Sequence, residues 1–117
     1  MTFTIIGRLP GLNEYTATNR GNKYGGNKMK KDVQNQISWF LPKQKLNTPV
    51  RLIFHWYEPN KKRDKDNIAF AKKFILDAMV NGGCIPNDGW KQIEGFEDKF
   101  YVDKDNPRIE VEVLNEQ

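Results

Sequence analysis

The stretch from Pro49 to Gly83 constrains the fold most, because its apolar period changes once and abruptly. PVRLIFHWY sets Val50, Leu52, Phe54 and Trp56 against Arg51, His55 and Tyr57, with Ile53 the one apolar residue on the second face. That alternation is the pattern of a half-buried strand. DNIAFAKKFILDAMVNGG follows, with Ile68, Ala71, Phe74, Ile75, Ala78 and Met79 on one side at about 100° per residue. It reads as one amphipathic helix, stopped by Gly82 and Gly83. Between the strand and the helix lies the charged stretch KKRDKDN.

The flanks extend this unit. TFTIIGRL is rich in β-branched residues and closed by Pro10-Gly11, so a strand and turn are predicted. Residues 12–28 carry four asparagines and three glycines without apolar periodicity, which predicts a long loop. Met29, Val33, Ile37, Phe40 and Leu41 then recur at helical spacing until Pro42. Residues 90–102 and 107–114 read as two more strands, the second with Ile109, Val111 and Val113 facing inward. The order β-α-β-α-β-β predicts an α+β fold with a mixed or antiparallel sheet. Residues 1–117 read as a single domain without repeats or a linker.

Composition narrows the function classes. Lys and Arg exceed Asp and Glu by 19 to 15, a mild surplus that suits nucleic acid without requiring it. The single cysteine, Cys84, excludes an internal disulfide and a thiolate zinc site. The chain lacks an 18-residue apolar run and a signal-peptide start, so a cytoplasmic protein with no membrane partner is expected. GGNKMKK lacks the spacing and ending of a P-loop. His55, the one histidine, lies mid-strand and reads as structural; Trp39, Trp56 and Trp90 read as core or interface.

DKDN occurs at 64–67 and again at 103–106. The second copy lies between two strand patterns, where Asp103 and Asp105 read as turn formers. Neither copy is an EF-hand loop, because Ala69 or Arg108 stands where glycine is needed. The first copy opens a helix, which leaves a helix cap and a metal site both open. Toward the metal, Asp64 and Asp66 are two apart and share one side of an extended approach. A continuous helix would set Asp66, Lys73 and Asp77 within about 40° of each other, opposite the apolar stripe. An ion pair with Lys73 at i,i+4 is the default role for Asp77. IPNDGW adds Asp88 before the next strand, and a strand end, a helix start and a following loop can meet at one sheet edge. Three carboxylates there repel one another unless a cation joins them. Mg²⁺, a hard ion that keeps waters and accepts carboxylate and phosphate oxygens, fits that set. Lys61, Lys62 and Arg63 would hold the phosphodiester backbone.

RDKDNIAFAKKFILDAM followed by GCIPNDGW, with GRLPGLNEY near the start, resembles the RusA family of Holliday junction resolvases, small phage-type endodeoxyribonucleases, over most of the chain. The resemblance implies a homodimer that binds four-way DNA junctions and makes paired symmetric nicks with Mg²⁺, or Mn²⁺ in its place, in DNA recombination and repair. A two-fold dimer also matches the approximate symmetry of such a junction. The family's essential carboxylates, catalytic and metal-binding, fall on Asp64, Asp66 and Asp88, and its essential lysine falls on Lys73. In the best-known form that lysine lies one turn after the second aspartate, where this chain has Phe70; Asn87 stands where an aspartate often precedes the third carboxylate. Phe70 falls on the polar side of the helix, as a DNA wedge or a dimer contact.

DNA contact is expected from Lys61, Lys62, Arg63 and Asn13, and from the basic cluster Arg20, Lys23, Lys28, Lys30 and Lys31. Tyr24 could stack on an unpaired base. Two rival functions fit the same residues. One is a non-catalytic branched-DNA-binding module, the other a related nuclease acting on forks, flaps or packaging intermediates.

Overall fold

The computed structural model describes residues 1–115, Lys23 by its backbone alone. The elements are β1 (Thr2–Ile6), α1 (Leu12–Gly21), α2 (Lys23–Ser38), β2 (Val50–Glu58), α3 (Lys65–Ala69), α4 (Lys72–Asn81), β3 (Ile93–Val102) and β4 (Arg108–Asn115). The strands form one sheet in the order β1-β4-β2-β3. β4 is antiparallel to both β1 and β2, whereas β2 and β3 run parallel. A parallel pair needs a crossover connection, here supplied by α3 and α4. The fold is therefore a single α+β domain with a mixed sheet, as the period changes predict.

One sheet face is the core. Val50, Leu52, Phe54 and Trp56 join Ile109, Val111 and Val113 with Phe3 and Ile5 in one buried cluster. The helices add Val33, Ile37, Ile68, Ala71, Phe74, Ile75, Ala78 and Met79 to the same cluster. The predicted apolar stripes of both strand and helix are thus the buried ones. On the opposite face His55 lies between Tyr101 Oη at 2.9 Å and Glu112 Oε1 at 3.1 Å, a structural setting as expected.

Four expectations are corrected. The opening strand stops at Ile6, because Gly7 turns the chain at φ +90° while its N–H donates to Pro107 O. Residues 12–28 are helical except for Asn22, with α1 and the first turns of α2 in place of a loop. The glycines that suggested a loop permit close helix packing: a Cβ on Gly26 would sit 2.4 Å from Asn19 Oδ1. Asn22 caps α2 by accepting from the Tyr24 N–H at 2.8 Å.

The single long helix is broken between Ala69 and Lys72. There the Ala71 and Lys73 N–H groups donate to carbonyls three residues back, Ile68 O and Phe70 O, a tightening that shifts helical phase. The shift carries Phe70 off the polar side and into contact with Tyr15 and Phe74, at ring-centroid distances of 5.7 Å to each. Among the tryptophans only Trp56 belongs to the core; Trp39 is 84% exposed and Trp90 100% exposed.

No side chain of α1's own N-cap residue, Gly11, serves its first turn. The acceptor comes from α3 instead: Asn67 Oδ1 takes the Asn13 N–H at 2.8 Å. Gly11 is required for that approach, since a Cβ would lie 2.5 Å from the same oxygen. Asn67→Ala is expected to lower stability by about 1 kcal/mol, the usual scale of a lost cap, in urea denaturation.

Candidate functional site

β2 ends on Glu58, a charged residue only 7% exposed. Its Oε1 accepts from Arg8 Nη2 and Arg63 Nε, each at 3.0 Å, and its Oε2 accepts from Arg63 Nη2 at 2.9 Å. Burial alone would raise the Glu58 pKa, but the hydrogen bonds and charges of Arg63 and Arg8 outweigh it and hold the carboxyl below its ordinary value. Arg63 Nη1 donates further to Leu9 O at 3.0 Å and to Glu14 Oε1 at 3.2 Å. The charged loop is therefore pinned at Arg63 to the end of β2, to the turn after β1, and to α1.

Pinning Arg63 inward leaves its neighbour Asp64 outside. Asp64 occupies the N-cap position of α3 with extended backbone, yet its side chain makes no capping hydrogen bond. Asp66 follows in the first turn of α3, and both aspartates are exposed. They line a cleft of about 660 Å³ with Lys61, Lys65, Phe100 and Val102, between the charged loop and the end of β3. Asp64 thus occupies the cap position of α3 while its side chain lies at the cleft. Two unengaged carboxylates supply hard oxygen donors of the kind Mg²⁺ takes, with room for the waters it keeps.

Asp88 lies elsewhere. Its loop leads into β3, and the Gly89 carbonyl accepts from Gln92 and Ile93 N–H while Val50 N–H bonds Gln92 O. Asp88 is therefore near the start of β2, whereas Asp64 and Asp66 follow the end of β2. The strand between those ends is about 27 Å long at 3.3 Å per residue. Among the described residues no three His, Cys, Asp or Glu side chains gather closely enough to hold a metal ion. The expected meeting of Asp64, Asp66 and Asp88 at one sheet edge does not occur within one chain, because a right order of elements was combined with no information on strand direction.

The neighbouring lysines of α4 differ sharply. The Lys72 side chain is 13% exposed, with Nζ 2.6 Å from Asp98 Oδ2 and 4.0 Å above the Phe96 ring. Asp98 also accepts from Trp56 Nε1 at 2.9 Å, so Lys72 is built into the packing against β3. The Lys73 side chain is 61% exposed, and its nearest acidic partner is Asp77 at 4.0 Å. The helix break removes the continuous phase that aligned Asp66 with Lys73; Lys73 stands on the first turn of α4.

The remaining basic residues fall into two groups. Lys61 and Lys62 are exposed beside the cleft, while Arg63 has most of its donors engaged internally and is removed from free phosphate contact. Arg20, Lys28, Lys30 and Lys31 lie along α1 and α2, and Lys23 begins α2. Lys28 pairs with Asp32 at 2.9 Å, whose hydrogen bond and charge raise the lysine pKa. Tyr24 is exposed. Asn13 bonds Asn67 through its backbone, leaving its side chain exposed. In the second DKDN, Asp103 accepts from Asn106 N–H and from Arg108, the predicted turn role. Glu58 and Asn67 are the residues that sequence reasoning missed; the signal for Glu58 was an acid at the buried register of β2.

The molecule is a small α+β domain with an acidic loop at the open end of a parallel strand pair. The family model for endodeoxyribonuclease RusA matches residues 13–114, and the chain belongs to that family. No curated protein gives a significant match. Membership makes nuclease activity of the Holliday-junction type the family-level function of the chain. No helix among the described residues is long and apolar enough to cross a membrane.

Glu58 gives a pH test of the loop's anchor. Its depressed pKa means that its contribution is full above the unfolded value of about 4.3 and is lost as pH falls through the folded value. At neutral pH Glu58→Gln is expected to be less stable by about 2 kcal/mol. In urea denaturation the gap should narrow steadily below about pH 4.

Proposed function

We propose that the protein is a Mg²⁺-dependent, structure-selective endodeoxyribonuclease that resolves four-way DNA junctions by paired nicks. We further propose that it works as a homodimer whose sites are shared between copies. The observation that carries this reading is the separation of the carboxylates by the parallel β2–β3 pair. Asp64 and Asp66 stand unengaged at the cleft, while Asp88 is held at the far end of the same strands. A two-fold partner reverses strand direction, so its Asp88 can approach the Asp64 and Asp66 of the first copy. Dependence on a second copy couples catalysis to dimerisation, and two symmetric sites match two symmetric cuts.

Asp64 and Asp66 from one copy with Asp88 from the other would hold the ion. When bound, Mg²⁺ activates a water and polarises the scissile phosphate. Lys61 and Lys62, exposed beside the cleft, attract the phosphodiester backbone that the carboxylates alone would repel. Lys73, on the first turn of α4 and open to solvent, supplies positive charge for the phosphorane-like transition state. Arg20, Lys23, Lys28, Lys30 and Lys31 would extend the contact along the junction arms.

Mixing variants tests the reading on a labelled four-way junction with its matched duplex, in Mg²⁺ and in EDTA. Asp64→Asn/Asp66→Asn and Asp88→Asn are each expected to bind the junction without cutting it. Their equimolar mixture should recover roughly a quarter of wild-type nicking, since half of the dimers are mixed and each has one intact site. A silent mixture would place Asp88 in cis and end the shared-site reading; cutting by Asp88→Asn alone would remove Asp88 from the site.

The lysines separate in the same assay. Lys73→Ala should lower cleavage about a hundredfold with stability unchanged. Lys72→Ala should instead lower stability by about 2 kcal/mol through loss of the Asp98 pair.

A further inference from the structure

We infer that β3 is the dimerisation strand, pairing antiparallel with β3 of a second copy about a two-fold axis at Asp98 to make one continuous sheet. The inference rests on the shared-site reading and names the surface and register that would achieve it. β3 is one of the two edge strands of the sheet, with β1 at the other edge, and is paired with β2 on one side only. Its ten residues present an open edge of main-chain donors and acceptors, the template on which another strand adds. Its exposed side chains include Phe96 and Val102, each 51% exposed, and Trp90 lies fully exposed just before it.

The register follows from the pleat and the charges. Phe96, Asp98 and Phe100 share the helix-covered face, since Asp98 pairs with the buried Phe54 of β2, and Lys72 and Lys65 reach the rings. Gly95, Glu97, Lys99 and Tyr101 share the opposite face, where Tyr101 stacks on Tyr57. A two-fold axis perpendicular to the sheet keeps faces matched, so each residue must oppose one of its own face. An axis at Glu97 or at Lys99 would set that residue against its own copy, a like-charge clash. The axis at Asp98 sets Glu97 against Lys99 twice, and Phe96 against Phe100 twice, both favourable cross-strand pairs. Glu97 keeps an oxygen for this contact, because Arg51 engages Oε1 alone. The two Asp98 residues meet on the axis, but each is already neutralised by Lys72 and bonded by Trp56.

This register opposes Gly95 to Tyr101, the irregularity of β3 at Glu94 lying just beyond. It thereby carries the partner's Gly89–Gln92 turn, with Trp90 on it and Asp88 just before it, toward the end of β3 where Asp64 and Asp66 line the cleft.

Sedimentation equilibrium reads the interface without reference to activity. Glu97→Lys and Lys99→Glu should each weaken dimerisation at least about tenfold, and the double variant should restore it. A disulfide should also form between Glu97→Cys and Lys99→Cys copies when mixed, and in neither alone. Unchanged dimerisation in both single reversals, no cross-link in the mixture, or a monomeric wild-type protein would overturn the proposal. A dimer that follows the charge swap yet cuts no DNA would uphold the interface and remove the nuclease reading alone.

Discussion

The parallel pairing of β2 with β3 is the constraint on which the rest depends. β2 is hydrogen-bonded on both flanks and carries the most buried row of the core, so its direction cannot change without loss of the domain. Because β3 runs the same way, the chain must return through α3 and α4 before β3 begins. The loop that leaves β2 is thereby at one end of the sheet and the loop that enters β3 at the other. The acidic loop and the loop of Asp88 cannot share a site within one copy, whatever their side chains prefer.

A buried ion cluster then shapes the end at which the acidic loop sits. Glu58 takes an inward register position on β2, where an unpaired carboxylate would be strongly disfavoured. Arg63 and Arg8 make that burial tolerable, and in doing so fix the direction of the loop that follows. Asp64 is turned outward because its neighbour is turned inward. The neighbouring Asn67 works similarly at longer reach, tying α3 to the start of α1. The acidic segment thus rests on contacts to three separate parts of the chain.

How much of this could be read from sequence differs by the kind of signal. The strand of residues 50–58 and the apolar stripe of residues 68–79 were readable because burial imposes a period on residue type. α1 was not: it buries no residue fully, and its support comes from an Asn67 oxygen and from glycines that admit a neighbouring helix. Those glycines look like loop residues in one dimension and like contact residues in three. The helix break at Phe70 was hidden because the apolar stripe survives a one-step change of phase. Of the candidate site, the placement of Asp64 and Asp66 at a helix start was readable from their spacing. The remoteness of Asp88 depended on strand direction, which no local pattern encodes.

The internal engagement of Arg63 also bears on how the protein would meet a polyanion. Each cation that neutralises a phosphate releases a condensed counterion, and the number released sets how steeply affinity falls with salt. A count of basic residues in KKRDKDN suggests four such contributions from this loop. With the Arg63 guanidinium turned inward on Glu58, the loop offers at most its three lysines. Arg63 would add to the shape of such a binding surface and little to its ion atmosphere. The affinity conferred by this segment should therefore persist to higher ionic strength than its composition suggests.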